Sequence, residues 1–338
     1  MCSKNIRKIE LKKILIIGAK KASDNLLLTP SIKKIRETFP NAKIDIVTSV
    51  LSEELLVDST IFEEQFFYDK ENIFKFIRKV RGIRYDLIVA FHLPFLPYIL
   101  RGKYKLSFFL KSSFSEKVFT HESERMLNFI EPFFGKENNI KLYFNSTKKN
   151  KDKIEKLMKS FGIKNSDVVV VVNPGKLGTR KNFNEQLFIE IIEELFRIYD
   201  LKTVIVGTHL KEKDIQKILY TFKGKDIFDL TNKLSLRDYS ALLEKSDLII
   251  TPDATSMYLA SAVGCPIVAL FGPGNPYRYG PFSVKNLVVH SNLPCFPCDI
   301  NKRCNRSYKC LDIVTSEKVI KASTLLINEK EEPFLFEI

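Results

Sequence analysis

The chain has 338 residues, more than one typical compact domain holds, so two domains of ordinary size are expected. Hydrophobic residues make up 45% and charged residues 28%, as in a globular protein, and no apolar run reaches the roughly 18 residues that a membrane span needs. A net charge of +14, from 54 Lys and Arg against 40 Asp and Glu, points to an anionic partner (nucleic acid, phosphorylated small molecule or anionic membrane surface) or to lysine-rich solvated faces.

The opening "MCSKNIRKIELKKILIIG" carries basic residues and a short apolar run but no small-residue cleavage site, so no signal peptide is expected and a cytoplasmic location follows. Within it "KKILIIGA" (12–19) reads as a first strand, "LTPSIKKIRETFP" as a helix with Pro near its start, and "AKIDIVTS" as the next strand. "YDLIVAFH" (85–92) is another strand, and from Phe95 to Asn145 the pattern is irregular. The basic helix "KKNKDKIEKLMKSFG" then leads into a second series: "DVVVVVNPG" (167–175), a helix from about Asn184 to Tyr199, "KTVIVGT" (202–208), a further helix, "LSLRDYSALLEKS", "DLIITPD" and "PIVALFGP". Alternating apolar strands and helices argue for parallel sheets covered on both faces. The break near residues 145–165 divides two doubly wound α/β domains, whose ligands belong at the carboxyl ends of the strands.

Asp253 follows such a strand and precedes the helical "TSMYLASAVG". A helix beginning there caps itself with Asp253 or Thr255, or presents its unpaired N–H groups to a phosphate. Four of the six cysteines cluster in "CFPCDINKRCNRSYKC": Cys295, Cys298, Cys304 and Cys310. Thiols at this spacing suit a small tetrathiolate metal knuckle holding zinc or iron, with reduced thiols or disulfides as the alternatives; Cys2 and Cys265 read as incidental, the latter as core filling. An oxidoreductase is disfavoured because no G-x-G-x-x-G turn follows the first strand, where only Gly18 stands. A basic, metal-knuckle nucleic-acid binder lacks an aromatic RNA-binding strand or a zinc-finger His pair.

Several spaced blocks resemble glycosyltransferase family 9, the lipopolysaccharide heptosyltransferases. "DATSMYLASAVGCPIVALFGPGNPYRYGP" is similar to a family block of the type DTGxxHxAxAxGxPxVxLFGPTxPxxxGP, and the likeness extends upstream through "LTNKLSLRDYSALLEKSDLIITPD". "NPGKLGTRKNF" (173–183) is similar to PGxxxxxKxWP, "HESERMLNF" (121–129) to a His-x-x-Glu-Arg segment, and the first strand, loop and helix to the family's opening Gly-Asp block. This chain departs from the patterns at Ser23, where the family has Gly, at Ala254-Thr255 for Thr-Gly, and at Tyr258 for His.

The resemblance implies the GT-B fold, two Rossmann-like domains facing a cleft: an acceptor-binding domain over 1–150, a nucleotide-sugar domain over 151–315, and a last helix over 316–338 that crosses back to the first. It implies an inverting transfer of heptose from an ADP-activated donor to a lipopolysaccharide inner-core or related lipid-linked glycan. A family member using another nucleotide sugar, a hexose or N-acetylhexosamine, is the alternative. Asp24 takes the place of the catalytic base, with N-capping as the competing role. Lys181, with Thr179 and Gly178, meets the diphosphate, Glu212 the ribose, and Asp253, Ala254, Thr255, Ser256 and Tyr258 the phosphates or sugar. His121 and Arg125, with the basic stretches "RKVRGIR" (78–84) and "RGKYK" (101–105), face the acceptor, and basic residues interleaved with aromatics suit an association with the inner membrane surface. No cofactor is required for catalysis. Some members carry a similar four-cysteine segment, and related autotransporter heptosyltransferases bind iron through four cysteines.

Overall fold

The computed structural model describes residues 9–56, 59–69, 73–108, 119–177, 182–208, 212–282, 284–296, 304–328 and 336–337. The chain divides into two compact units, Met1–Tyr143 and Phe144–Ile338.

In the first unit the strands are β1 (Lys13–Ile17), β2 (Lys43–Ser49), β3 (Gln65–Tyr68), β4 (Tyr85–Ala90) and β5 (Gly102–Ser107). They form one sheet in the order β3-β2-β1-β4-β5, with every pairing parallel. The central strands are buried on both faces, which is why they read as unbroken apolar runs. One face packs Leu15, Ile17, Val47 and Ile88 against Phe76, Val80 and Leu96. Each such side chain, fully buried, stabilises the fold by about 1.5–3 kcal/mol. The helices Ala22–Thr38 and Glu122–Phe134 pack against one another.

The first helix differs from its sequence reading. It starts at Ala22, so Pro30 lies in its interior rather than near its start. Proline removes the amide that would bond Leu26 four residues back, and the Thr29 hydroxyl donates to that carbonyl instead at 2.6 Å. Asp24 consequently sits in the first helical turn rather than in a loop.

The second unit holds β6 (Val168–Val172), β7 (Leu201–Ile205), β8 (Ile227–Asp229), β9 (Leu248–Pro252), β10 (Ile267–Phe271), β11 (Asn286–His290) and β12 (Phe336–Glu337). Their order is β12-β11-β10-β9-β6-β7-β8, again all parallel. The basic helix Lys148–Ser160 belongs to this unit: Asn150 Nδ2 and Lys153 Nζ donate to Asp238 at 2.8 and 2.5 Å. Burial alone would push the Asp238 carboxyl up, but these bonds and one from Ser235 outweigh it and hold the pKa down. The helix Ser316–Asn328, for which a crossing to the first domain is the sequence expectation, buries Val319, Ala322 and Leu326 in the core of the second unit.

In both sheets the chain changes direction beside the strand that starts it, at β1/β4 in the first and at β6/β9 in the second. Those two switch points are where the carboxyl ends of the strands leave room for ligands. Among the described residues no helix is long and apolar enough to cross a membrane.

Candidate functional site

At the first switch point the chain leaves β1 through Gly18 and turns into the helix Ala22–Thr38. Asn25 builds this turn. Its Oδ1 accepts from Ala19 N at 2.9 Å, and its amide nitrogen lies 2.9 Å from both Ala19 O and Ser52 Oγ. Thr48 Oγ1 donates to the same Ala19 carbonyl at 2.5 Å. Lys21 is the N-cap residue and no side chain caps the helix, so Asp24 is not an N-cap here.

Asp24 is half-buried, and its carboxylate accepts from Ser23 Oγ at 3.3 Å. Burial raises its pKa above the usual carboxylate value; the charge of Glu122 pushes it further, against Lys21, Ser23 and His92, which favour the ionised form. A base whose proton affinity is raised takes a proton from a hydroxyl more readily than an ordinary aspartate.

His92 is exposed just past the end of β4. Leu93, next to it and immediately before Pro94, has φ +48°, a left-handed backbone that a branched residue rarely adopts and that costs of order 1–3 kcal/mol. In the helix Glu122–Phe134, His121 is the N-cap, its Nδ1 accepting from Ser123 N at 3.3 Å. Arg125 is buried, pairs with Glu122 at 2.6 Å and lies 5.6 Å from the centre of the Phe108 ring. Of the segment His121–Arg125, then, it is Glu122 whose charge reaches Asp24, and Arg125 is its salt-bridge partner.

At the second switch point three loops meet, after β6, β9 and β10. Pro174, Lys176, Pro252, Asp253, Gly272 and Gly274 are among the residues lining a cleft of about 200 Å³ there. Asp253 is exposed at the end of β9, and Ala254 is the N-cap of the helix Thr255–Val263, with no side-chain cap. Neither Asp253 nor Thr255 is the N-cap residue, and the first turn of this helix opens at the cleft end of the strand. A Cβ on Gly274 would stand 2.9 Å from the Phe271 ring and 3.3 Å from Asp253 Oδ2, so the β10 loop packs closely on Phe271 and lies beside Asp253.

Ser256 and Tyr258 face inward. Ser256 is buried, 2.8 Å from Asn173 Nδ2 and 2.7 Å from Thr251 Oγ1. Tyr258 is buried and donates to the Tyr279 carbonyl at 2.8 Å, tying down the short helix Pro276–Tyr279. Gly178, Thr179 and Lys181 lie outside the described residues, and Glu212 opens the helix Glu212–Thr221 with only its backbone described.

Cys298 also lies outside the described residues. Cys265, Cys295, Cys304 and Cys310 are thiols, not disulfides. Amides of Tyr308 and Arg306 hydrogen-bond Cys304 Sγ and hold its pKa down, Tyr308 N at 3.4 Å. Among the described residues no group of three or more His, Cys, Asp or Glu side chains is placed to hold a metal. Sequence reasoning did not single out Asn25, His92, Glu122, Asn173 or Lys176. Asn173 directly follows β6 and His92 lies two residues past β4, the one signal that marked them.

The family model of glycosyltransferase family 9 (heptosyltransferase) matches residues 100–309. The chain belongs to glycosyltransferase family 9. It is 27% identical over 320 residues to lipooligosaccharide heptosyltransferase 2 of Campylobacter jejuni, covering 90% of this chain and 95% of that protein. The glycosyl transferase family 9 structure from Veillonella parvula superposes with a TM-score of 0.76 at 20% identity, over 94% of this chain and 98% of the other. E. coli ADP-heptose lps heptosyltransferase II does so with a TM-score of 0.71 at 17% identity, over 93% and 98%. The chain is thus a glycosyltransferase with two Rossmann-like α/β units, the components of the GT-B fold.

Proposed function

We propose that this glycosyltransferase moves a heptose from ADP-heptose onto a lipopolysaccharide inner-core or related glycan acceptor, with inversion at the anomeric carbon. The observation that carries the reading is the half-buried Asp24 at the first switch point, raised in pKa and spared any capping duty. Asp24 takes the proton of the acceptor hydroxyl as that oxygen bonds to the anomeric carbon. The bond from that carbon to the diphosphate breaks, and the nucleoside diphosphate leaves with both bonding electrons.

The second unit holds the donor. The first turn of Thr255–Val263 and the exposed Lys176 supply positive potential for two phosphates, with Lys181, Thr179 and Gly178 continuing that loop. Asp253 accepts from sugar hydroxyls, and Glu212 from the ribose. The first unit takes the acceptor through the Glu122–Arg125 pair and His121. Exposed Phe95, Tyr98 and Ile99, followed by exposed Arg101 and Lys103, suit an anionic membrane surface on which a lipid-linked acceptor resides, which fits a cytoplasmic enzyme peripheral to the inner membrane. The four-cysteine segment is a structural staple for zinc or iron, a reading that rests on the ligand type and spacing of Cys295, Cys298, Cys304 and Cys310.

The test is calorimetric titration of the purified chain with ADP, UDP and GDP. Preferential binding of ADP is expected; preference for UDP or GDP moves the protein to another nucleotide sugar within the same chemistry.

A further inference from the structure

The second switch point contains a buried polar chain that the reaction itself does not use. Asn173, 6% exposed, is the first residue after β6, and its Oδ1 accepts from Gly175 N at 2.9 Å. Its Nδ2 donates to Ser256 Oγ at 2.8 Å, and Ser256 in turn shares a hydrogen with Thr251 Oγ1 at 2.7 Å. Thr251 Oγ1 donates to the Pro252 carbonyl at 3.1 Å, which fixes the direction: the Ser256 hydroxyl donates to Thr251. Tyr239, 5% exposed, lies beside Ser256.

One end of this chain is the amide of Gly175, next to Lys176; the other is the peptide carbonyl joined to Asp253. The two loops also touch directly. Gly175 has φ +65°, and a Cβ there would meet Pro252 Cγ at 2.7 Å. Both loops line the same cleft. A lysine on one and a carboxylate on the other must keep a fixed separation if one is to meet phosphate and the other a sugar hydroxyl of a single ligand.

We infer that Asn173, Ser256 and Thr251 form a positioning relay that sets the Gly175–Lys176 loop against Asp253 and so determines the affinity for the nucleotide diphosphate. None of the three touches the ligand. The relay acts by keeping each member satisfied, because breaking one link leaves buried donors or acceptors unpaired on the others. Ser256, expected from the sequence to contact the donor, serves it at one remove. The inference rests on the reading that the second unit binds the donor diphosphate.

ADP titration calorimetry on the full chain tests it, with thermal unfolding run alongside. Asn173→Ala and Thr251→Val are each expected to weaken ADP binding about tenfold, the two together no more than either alone, and Thr251→Ser to bind as wild type. Lys176→Ala is the control for the donor reading. If Lys176→Ala weakens ADP while Asn173→Ala and Thr251→Val only lower Tm, the residues are merely structural and the inference falls while the reading stands. Additive losses in the double variant also overturn the relay. Absence of ADP binding in the wild type, or wild-type affinity in Lys176→Ala, overturns the donor reading and the inference with it.

Discussion

Replacing Asp24 by Asn removes one proton acceptor and almost nothing else. The side chain keeps its shape and can still take the Ser23 hydroxyl, now 3.3 Å from Oδ1. The helix Ala22–Thr38 does not depend on it for capping, and the turn is built by the neighbouring Asn25. Two small electrostatic changes oppose one another: an acid is lost from the first helical turn, costing roughly 0.3–1 kcal/mol, while the desolvation of Asp24 and its repulsion by Glu122 are relieved. Net stability should therefore change by less than about 1 kcal/mol, a Tm shift of no more than about 4 °C. Transfer depends on the lost base, which is worth about 10²- to 10⁴-fold in rate, or roughly 3–5 kcal/mol of barrier. The assay is turnover of nucleotide-sugar donor with a core acceptor, alongside thermal unfolding and ADP titration. Preserved Tm and ADP affinity with kcat down at least about a hundredfold is expected. A variant that folds and turns over within about threefold of wild type refutes the base assignment, since that is well below what general-base catalysis contributes.

Other outcomes follow from the same structure. Because the Asp24 pKa is raised and its ionised form is the active one, kcat/KM should fall on acidification at a pH above the ordinary carboxylate value of about 3.9. Glu122→Gln removes a charge that raises it, so the acid limb of the pH profile should move down; an upward move contradicts the electrostatics. Tyr258→Phe strips the Tyr279 carbonyl of its 2.8 Å hydrogen bond, and urea unfolding should show a loss of about 1 kcal/mol with an unchanged m-value. Gly175→Ala combines φ +65° with a contact of 2.7 Å to Pro252, and should lower stability by about 1–3 kcal/mol in the same assay; no change would mean that the loop moves away freely. Metal analysis of protein purified without chelator should find zinc or iron in the wild type and less in Cys298→Ser, and a metal-free wild type removes the proposed staple.

The architecture was legible because its signal is apolar and continuous. β1, β4, β6, β9 and β10 are buried along most of their length, and nothing but parallel strands covered by helices reads that way. The edge strands were not. β5 is half exposed and carries two lysines, and β3 alternates, so neither stands out from the loops around it. The start of the first helix was hidden by Pro30, since a side-chain hydroxyl repairing a missing backbone bond leaves no mark in an apolar pattern. At the sites, Asp253 was visible as an acid at a strand end, and Asp24 through the likeness of its block to the family's opening Gly-Asp segment. Asn25, in a first helical turn, and Asn173, after a strand, were not, because neither place reveals which backbone an asparagine will bond or what that holds in place. Ser256 and Tyr258 were read by position along the helix, whereas their burial depends on strands and loops distant in sequence.

The most direct test of the account is transfer itself: purified protein, ADP-heptose and a heptose-accepting core oligosaccharide, followed by mass spectrometry of the acceptor and detection of released ADP. The expected product is an acceptor heavier by one heptose, with one ADP released for each transfer. An unchanged acceptor with ADP-heptose, beside transfer from a UDP- or GDP-sugar, would contradict it.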